Sequence, residues 1–238
     1  MSLFVPPRRF DPDVLEIMDR RGNDPSLLRA DLGVLENINR FLGGHHIALG
    51  YLDKLLDAFP TNPVQILDLA TGGADVPRAV AQWARERQIR VDITAVDGNP
   101  EIIAIARERS AAWPEIRIEQ HDLLALPYPT GSFDVVLCAL TLHHFSEANV
   151  VAILRRIRDI ARVGYVVNDL RRNRVAVRLS KLMARTIIRN PIARFDAPAS
   201  CERAFSLAEL RAMALEAGLR KFTIRRHPYF RMAMAGRP

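Results

Sequence analysis

Short apolar segments alternate with longer helical patterns from about residue 64 to residue 170, and this alternation restricts the possible folds more than any other feature of the sequence. The predicted strands are nearly continuous in apolar residues, as strands buried on both faces are. Such strands alternating with helices indicate a parallel sheet covered on both sides, with right-handed crossovers. The predicted strands are VQILDLA, VDITAVD, IRIEQHD, FDVVLCAL and GYVVNDL, and the predicted helices are DVPRAVAQWARERQ, PEIIAIARERSAAW and EANVVAILRRIRDIA.

Residues 1–60 show helical patterns interrupted by helix breakers, and we expect them to form an N-terminal helical cap or lid. Asp11-Pro12 suits the start of a helix over DPDVLEIMD. Apolar residues at helical spacing from Leu27 to Leu42 predict a second helix that ends on the glycines 43 and 44. A third helical pattern stops at Pro60.

The C-terminal part of the chain divides into two predicted segments. Residues 171–205 form a basic helical insertion, and residues 206–238 a helix and two strands that complete the sheet. Ser206 and Glu209 have capping-box spacing at the start of that helix, and Gly218 suits its end. Pro228 separates the two strand-like runs, which predicts a break or bulge there.

The loop ILDLATGGADVP, residues 66–77, lies where open α/β sheets bind ligands, beyond the carboxyl end of a strand. A dinucleotide site would carry G-x-G-x-x-G, but Asp75 occupies the place of the third glycine and its carboxylate would repel a pyrophosphate. The Gly-Lys-Ser/Thr ending of a P-loop is missing. Together with Asp68, Asp75 favours a ligand that carries an ammonium or other cationic group.

The stretch from Asp68 to Ala74 resembles the first motif of class I S-adenosylmethionine-dependent methyltransferases, D/E-x-G-x-G-x-G. Only the middle glycine, Gly72, is kept, because Ala70 and Ala74 stand where the outer glycines would be. An alanine adds one methyl group, which is tolerable if φ stays negative at these two positions.

Further landmarks of the same family follow in order. The resemblance implies that Asp97, in TAVDGNP, binds both ribose hydroxyls, as an acid does in NAD sites. The run EQHDLLALPYPTGSFDVVLC is similar to small-molecule methyltransferases, including the ubiquinone and menaquinone C-methyltransferases. There the resemblance implies that Asp122 accepts from the adenine amino group and that the Leu123 N–H reaches a ring nitrogen. The implied cofactor-binding residues are Asp68, Ala70, Thr71, Gly72, Gly73, Asp97, Gly98, Asp122, Leu123 and Ala139.

The resemblance covers residues 64 to about 170, within a predicted α/β core of residues 61–170. It implies a Rossmann-like class I methyltransferase fold, with a mostly parallel seven-stranded sheet, helices on both faces and a final antiparallel strand. The implied cofactor is S-adenosylmethionine, with S-adenosylhomocysteine as product. The implied reaction is SN2 methyl transfer to oxygen or carbon of a small, largely apolar phenol, quinone or polyketide-like acceptor.

Two adjacent histidines, His143 and His144 in LTLHHF, follow the fourth predicted strand. A phenol or an enolisable carbon is methylated more easily when a general base removes its proton, and a histidine titrates near neutral pH. Either one is therefore a candidate catalytic base, and packing or helix capping is the alternative role. His45 and His46 could enter the site from an N-terminal lid, or could be exposed turn residues.

The net charge of +7 is concentrated between Arg171 and Arg194, a segment with eight basic residues and no acidic ones. The spacing predicts one basic helix face, formed by Arg171, Arg174, Arg178, Lys181, Arg185 and Arg189. This face is either simply solvated or a contact for an anionic membrane surface, an acidic carrier or an acidic substrate. The rest of the chain is close to neutral, so a nucleic-acid-binding surface is not indicated.

Several sequence features limit the alternative functions of the protein. The D/N-P-P-Y/F motif that accompanies methylation of amino nitrogens is missing after the fourth strand, where the chain reads ALTLHHF. An RNA methyltransferase and a non-catalytic S-adenosylmethionine-binding module remain alternatives. No apolar run approaches the roughly 20 residues of a membrane span, MSLFVPPRRFDP lacks a signal-peptide core, and the two cysteines have no metal-ligand spacing. We therefore expect a cytoplasmic enzyme without a metal site.

Overall fold

A computed structural model of the protein describes residues 5–55, 58–59 and 62–238. Within these ranges seven strands form one sheet, which confirms the predicted Rossmann-like α/β fold. The strands are β1 (Val64–Leu69), β2 (Val91–Asp97), β3 (Ile116–Gln120), β4 (Phe133–Ala139), β5 (Ala161–Leu170), β6 (Lys221–His227) and β7 (Arg231–Arg237). Their order is β3-β2-β1-β4-β5-β7-β6. The first five pair in parallel, and β7 runs antiparallel to both of its neighbours.

Helices cover both faces of the sheet. The helices are α1 (Pro25–Phe41), α2 (Gly44–Asp53), α3 (Asp75–Glu86), α4 (Pro100–Ser110), α5 (Glu147–Ile160), α6 (Arg174–Thr186), α7 (Pro191–Arg203) and α8 (Leu207–Glu216). Apolar residues of α2 and α3 form a core with one face of the central strands, and those of α5 and α8 form a core with the other face. A third, smaller core joins α1, α4 and α7.

The helix predicted over DPDVLEIMD is wrong, because only a 3-10 turn, Ile17–Asp19, forms there. The carboxylate of Asp196 on α7 accepts hydrogen bonds from the N–H groups of Ile17 and Met18, at 2.8 and 3.0 Å. A distant helix therefore satisfies these N–H groups. These tertiary contacts override the helix start that Asp11-Pro12 predicts. The next predicted helix, α1, is present and begins after Asp24, whose side chain caps it.

The glycines 43 and 44 lie at the boundary between the second and third predicted helices. Helix α1 ends at Phe41, Gly43 follows with a φ of 84°, and α2 starts at Gly44. The predicted stop at Pro60 lies outside the described residues. At the other end of the chain, the capping box of Ser206 and Glu209 forms as predicted at the start of α8.

The basic segment forms two helices instead of one continuous face. Asn190 caps a new helix, α7, whose first residue is Pro191. Arg171 lies before α6 and Arg189 lies between α6 and α7, so neither belongs to the α6 face. Helix α6 buries only a narrow stripe of small residues, and apart from the half-buried Val177 its other residues are exposed. The buried stripe consists of Ala176, Ser180 and Ala184. In the described part of the chain, no helix combines the length and the apolar character that crossing a membrane requires.

Candidate active site

The carboxyl ends of β1 and β2 bring the first two predicted landmarks together. The Gly72 N–H donates to Asp97 Oδ2 at 3.1 Å, and the Asn99 N–H donates to Asp97 Oδ1 at 3.0 Å. The Thr71 N–H donates to the Val96 carbonyl at 2.8 Å, so the loop after β1 is fastened to β2 at two points. Parallel pairing of β1 with β2 sets this geometry, since it places both carboxyl ends at one edge of the sheet.

Asp68 is a buried acid that forms no ion pair with any residue in the described ranges. Its side chain is 2% exposed, and its Oδ1 accepts no hydrogen bond from any residue that the structure describes. Burial raises the pKa of Asp68 to about 8; the Thr71 hydroxyl opposes this, whereas Asp75 and Asp97 add to it. An ammonium placed here would stabilise the carboxylate. The residue therefore fits the amino-acid end of S-adenosylmethionine.

Asp97 is suited to bind hydroxyl groups. Burial raises its pKa, the N–H groups of Asn99 and Gly72 lower it, and the nearby Asp19 raises it again. Its two hydrogen bonds engage one lone pair on each oxygen. Each oxygen thus keeps a lone pair for a ribose hydroxyl. The site at the ends of β1 and β2 fits the cofactor that the sequence implies.

The loop backbone differs from the expectation for its alanines. Ala70 and Ala74 have φ values of 52° and 56°, beside Gly72 at 53°, so neither alanine meets the condition of a negative φ. Leu140, next to Ala139 at the end of β4, also has a positive φ of 52°. Left-handed conformations of residues with a Cβ are strained and concentrate at functional sites. The loop thus keeps the backbone path of a glycine-rich motif despite its alanines.

We expect Ala70→Gly to raise the free energy of unfolding by about 1 kcal/mol, because glycine removes the left-handed strain at a cost in chain entropy. Ala104→Gly in α4 is the matched control, since Ala104 is exposed and helical. That change should lower stability by about 1 kcal/mol. Urea denaturation of both variants measures the two effects. An Ala70→Gly variant that is destabilised as much as the control would contradict the positive φ.

Gly73 and Gly98 both lie where a side chain would approach other parts of the protein. A Cβ at Gly73 would lie 2.7 Å from Arg109 Nη1, and one at Gly98 would lie 3.7 Å from the His121 carbonyl oxygen. Gly73 therefore leaves room for the Arg109 side chain. Gly98 lies against the loop that follows β3, which carries the third landmark.

The third landmark, Asp122 and Leu123, follows β3 at the same edge. Asp122 is exposed, and its Oδ1 accepts from the Leu124 N–H at 2.9 Å. Leu123 is buried in the core under α5. Asp122 therefore caps its own turn in this structure, and its second carboxylate oxygen points to no protein donor within the described ranges.

Asp75 contacts two side chains of the N-terminal helices. Its Oδ2 accepts from Asn39 Nδ2 at 2.9 Å and lies 2.8 Å from His45 Nε2. Burial alone would raise the pKa of Asp75, but the hydrogen bond and charge of His45 and the amide of Asn39 lower it. Asp75 Oδ2 is therefore held by two protein side chains, and a role of Asp75 toward a cationic ligand stays a prediction. His45 is half-buried beside Asp75, whereas His46 is exposed, and entry of either histidine into the site from a lid stays a prediction.

His143 and His144 occupy a 3-10 turn, Leu142–His144, directly after β4. Each imidazole is held through its Nδ1 by a different carboxylate, His143 by Asp169 at 2.6 Å and His144 by Asp19 at 2.7 Å. The two rings lie 4.3 Å apart between centroids. A carboxylate bonded to Nδ1 orients the imidazole ring and leaves Nε2 available for proton transfer.

The two histidines of this turn have different electrostatic surroundings. Burial alone would lower the pKa of His144, but Asp19 and Glu16 raise it to about 9. The His144 ring is therefore protonated at neutral pH. Burial would raise the pKa of Asp169, but His143 lowers it, so this acid is ionised beside its histidine. The site combines an imidazolium with an Asp–His pair.

Sequence reasoning missed the three acids of this cluster. Asp169 follows a run of buried residues at the end of β5, which is a weak signal for a polar site. Asp19 ends the 3-10 turn near the N-terminus, and Glu16 directly precedes that turn. Both lie more than 120 residues from the histidines along the chain, and no local pattern marks them. Their role depends on how the N-terminal segment lies over the sheet edge.

Comparison with known proteins agrees with this geometry. Residues 66–164 match the family described as a methyltransferase domain. The chain is 37% identical over 92 residues to a demethylmenaquinone methyltransferase of Deinococcus radiodurans, covering 38% of this chain and 36% of that protein. It is 38% identical over 86 residues to the Thermus thermophilus protein of the same name, covering 36% and 37%. The chain thus spans little more than a third of the length of these relatives.

Solved structures share the fold at low sequence identity. A SAM-dependent methyltransferase from Aquifex aeolicus has a TM-score of 0.60 at 16% identity, over 90% of this chain and 98% of that one. Human N-acetylserotonin methyltransferase in complex with SAM has a TM-score of 0.63 at 17% identity, over 90% and 56%. Residues 66–164 are therefore a methyltransferase domain, and the chain shares its fold with S-adenosylmethionine-dependent methyltransferases of known structure.

Proposed function

We propose that the whole protein transfers a methyl group from S-adenosylmethionine to oxygen or carbon of a small, largely apolar acceptor. The observation that carries the proposal is the pair of buried acids, Asp68 and Asp97, joined through the Gly72 loop. Asp68 pairs with the ammonium of the cofactor, and Asp97 accepts from its ribose hydroxyls. The remaining predicted residues line the same loops: Ala70, Thr71, Gly73, Gly98, Asp122, Leu123 and Ala139.

The cofactor supplies a methyl group already activated on a sulfonium, so alignment and exclusion of water account for most of the rate. The chain contributes the proton transfer. In this proposal His143 Nε2 takes the proton of the acceptor hydroxyl or enol, while Asp169 holds Nδ1. His144, protonated at neutral pH, stabilises the negative charge that develops on the acceptor oxygen.

The names of the two bacterial relatives support a quinone-type acceptor, with phenols and polyketide-like acids as the neighbouring possibilities. A methyl-transfer screen with radiolabelled S-adenosylmethionine against phenols, naphthoquinols, polyketide-like acids and total RNA tests the proposal. We expect label in the first three groups. Label in RNA alone would favour the RNA methyltransferase alternative, and S-adenosylhomocysteine binding without any transfer would favour a non-catalytic binding module.

We also propose that the N-terminal helical cap, residues 1–60, and the basic insertion, residues 171–205, cover the acceptor side of the 61–170 core, with residues 206–238 completing the sheet. Contacts of the described residues support this. Arg8 donates to the carbonyls of Phe145 at 2.8 Å and Arg203 at 2.6 Å. The buried Glu16 accepts from Ser200 at 2.8 Å. The cap therefore touches both the histidine turn and α7.

We propose in addition that α6 lies on an anionic membrane surface. Its buried stripe is made of small residues, while large apolar side chains beside it are 44–68% exposed. These exposed side chains are Val175, Leu179, Leu182, Met183 and, just after the helix, Ile187. The exposed cations Arg174, Arg178, Lys181 and Arg185 all lie along one side of this apolar stripe. An apolar stripe beside a row of cations suits the interface of a bilayer with anionic lipids better than an acidic carrier.

Flotation with vesicles of phosphatidylglycerol and phosphatidylcholine tests the α6 surface. We expect the protein to float with mixed vesicles and to stay in solution with pure phosphatidylcholine, because each cation near an anionic surface contributes about 1 kcal/mol. The double variant Leu179→Asn with Leu182→Asn should lose most of this binding. Leu215→Asn on α8, which is 43% exposed, is the matched control. Equal flotation of all variants would contradict the surface.

A further inference from the structure

Two buried polar side chains on the acceptor side of the sheet are left with unused hydrogen-bonding atoms. Arg231 at the start of β7 is 1% exposed, and Asn168 near the end of β5 is 2% exposed. Among the residues that the structure describes, none bonds Arg231 Nη1 or either polar atom of the Asn168 amide. A buried polar atom without a partner costs about 1–3 kcal/mol, so a native protein that retains several needs a reason for them.

Both side chains point to the same face of the sheet. Asn168 pairs with Ala233, and Arg231 pairs with Leu170 two positions further along β5. Val166 and Ala233 belong to the core beneath α2 and α3. Because side chains alternate along a strand, Asn168 and Arg231 project toward that same face. They are diagonal neighbours across β5 and β7, a relation in which long side chains reach one another.

The carboxylates near Arg231 have other partners. Arg231 Nη2 donates to Asn39 Oδ1 at 2.9 Å, and Asn39 in turn donates to Asp75. Asp75 also lies 2.8 Å from His45, and Asp169 pairs with His143 at 2.6 Å. Burial lowers the pKa of Arg231 to about 10, while Asp169 and Asp75 raise it, so the guanidinium is charged at neutral pH. Its Nη1 therefore carries charged N–H groups that no described residue accepts.

The topology places this donor on the acceptor side. Two strands, β4 and β5, separate β7 from β1, which corresponds to roughly 14 Å between the strand axes. The loops that would hold the cofactor follow β1 and β2, whereas Asn168 is paired with Ala139 at the end of β4. Asn168 lies near the carboxyl end of β5, and Arg231 lies at the start of β7. Both are therefore on the side of β4 that is away from the proposed cofactor site.

We propose that Arg231 Nη1 and the Asn168 amide form a subsite for a negatively charged oxygen of the acceptor, such as a carboxylate beside the hydroxyl that is methylated. This inference rests on the proposed function and narrows its acceptor to an acid. A charged N–H donor and an amide N–H form short, strong hydrogen bonds with such an oxygen. The acceptor is therefore an apolar ring or chain that carries one acidic group.

Binding of two matched probes tests the subsite. The probes are 1-hydroxy-2-naphthoate and its neutral amide, 1-hydroxy-2-naphthamide, measured by calorimetry on the full chain saturated with S-adenosylhomocysteine. We expect the acid to bind at least about tenfold more tightly than the amide. Arg231→Met should bring this ratio close to one. Arg237→Met, at the exposed end of the same strand, should leave it unchanged.

Further variants keep the test decisive if Arg231→Met does not fold. Arg231→Lys keeps the charge, and Asn168→Ala removes only the amide; each should reduce the ratio at least threefold while melting as a folded protein. A ratio near one in the unchanged protein, or a ratio that Arg231→Lys and Asn168→Ala leave intact, would overturn the subsite. If S-adenosylhomocysteine does not bind at all, the proposed function fails, and the same two probes measured without it still decide the subsite.

Discussion

Asp97→Asn should weaken binding of S-adenosylhomocysteine by roughly 100-fold, the largest effect on affinity that we expect from one substitution. The change keeps the shape of the side chain and an oxygen that can accept the Gly72 or the Asn99 N–H. It removes the negative charge and one of the two acceptors that face the ribose hydroxyls. Hydrogen bonds to a charged acceptor contribute about 1.5–3 kcal/mol each, so the loss is large even when the loop stays in place.

Calorimetric titration with S-adenosylhomocysteine measures the effect, and Asp92→Asn is the matched control. Asp92 lies on the same strand at its opposite, amino end, where it accepts from Gln65 Nε2 at 3.0 Å. That change should leave the affinity within about twofold, since it lies far from the carboxyl edge of the sheet. An Asp97→Asn protein that is folded and binds as tightly as the control would remove Asp97 from the cofactor site.

The strands that end at the site could be predicted because their signals are local. Buried apolar runs, each followed by a polar residue, identify β1, β2 and β4 within a few residues of their observed bounds. The capping box of Ser206 and Glu209 is similarly complete within four residues. Parallel order then follows from alternation with helices, so the neighbourhood of Asp68 and Asp97 was accessible to sequence reasoning.

The errors concern contacts between distant parts of the chain. The partners of Asp75, Asn39 and His45, were not predicted, because they lie 36 and 30 residues earlier in the chain. The proline signal at residue 12 was overridden by Asp196, which lies near the other end of the chain. The backbone of Ala70 is set by the path of the loop between β1 and α3, and a residue's identity indicates its preferred φ without fixing it.

His143→Asn should lower kcat for methyl transfer by about 100- to 10,000-fold, the usual contribution of a general base, with little change in S-adenosylhomocysteine affinity. Asparagine places an N–H near the position of Nδ1, so the bond to Asp169 is kept, and it has no counterpart of Nε2. Loss of activity together with loss of cofactor affinity would indicate a packing role. Full activity would exclude His143 as the base.

The His144→Asn variant separates the two histidines by pH dependence. Because Asp19 and Glu16 raise the pKa of His144 to about 9 despite burial, its charge is present at neutral pH and is lost as the pH rises through 9. The stability that this charge contributes is complete below the unfolded value of about 6.5 and is lost on the way to the folded value, up to about 3 kcal/mol in total. Wild-type kcat and the unfolding free energy should both fall between pH 7 and 10, and in His144→Asn both curves should be flat over that range. A wild-type activity that is constant to pH 10 would mean that the acceptor oxygen does not rely on the imidazolium.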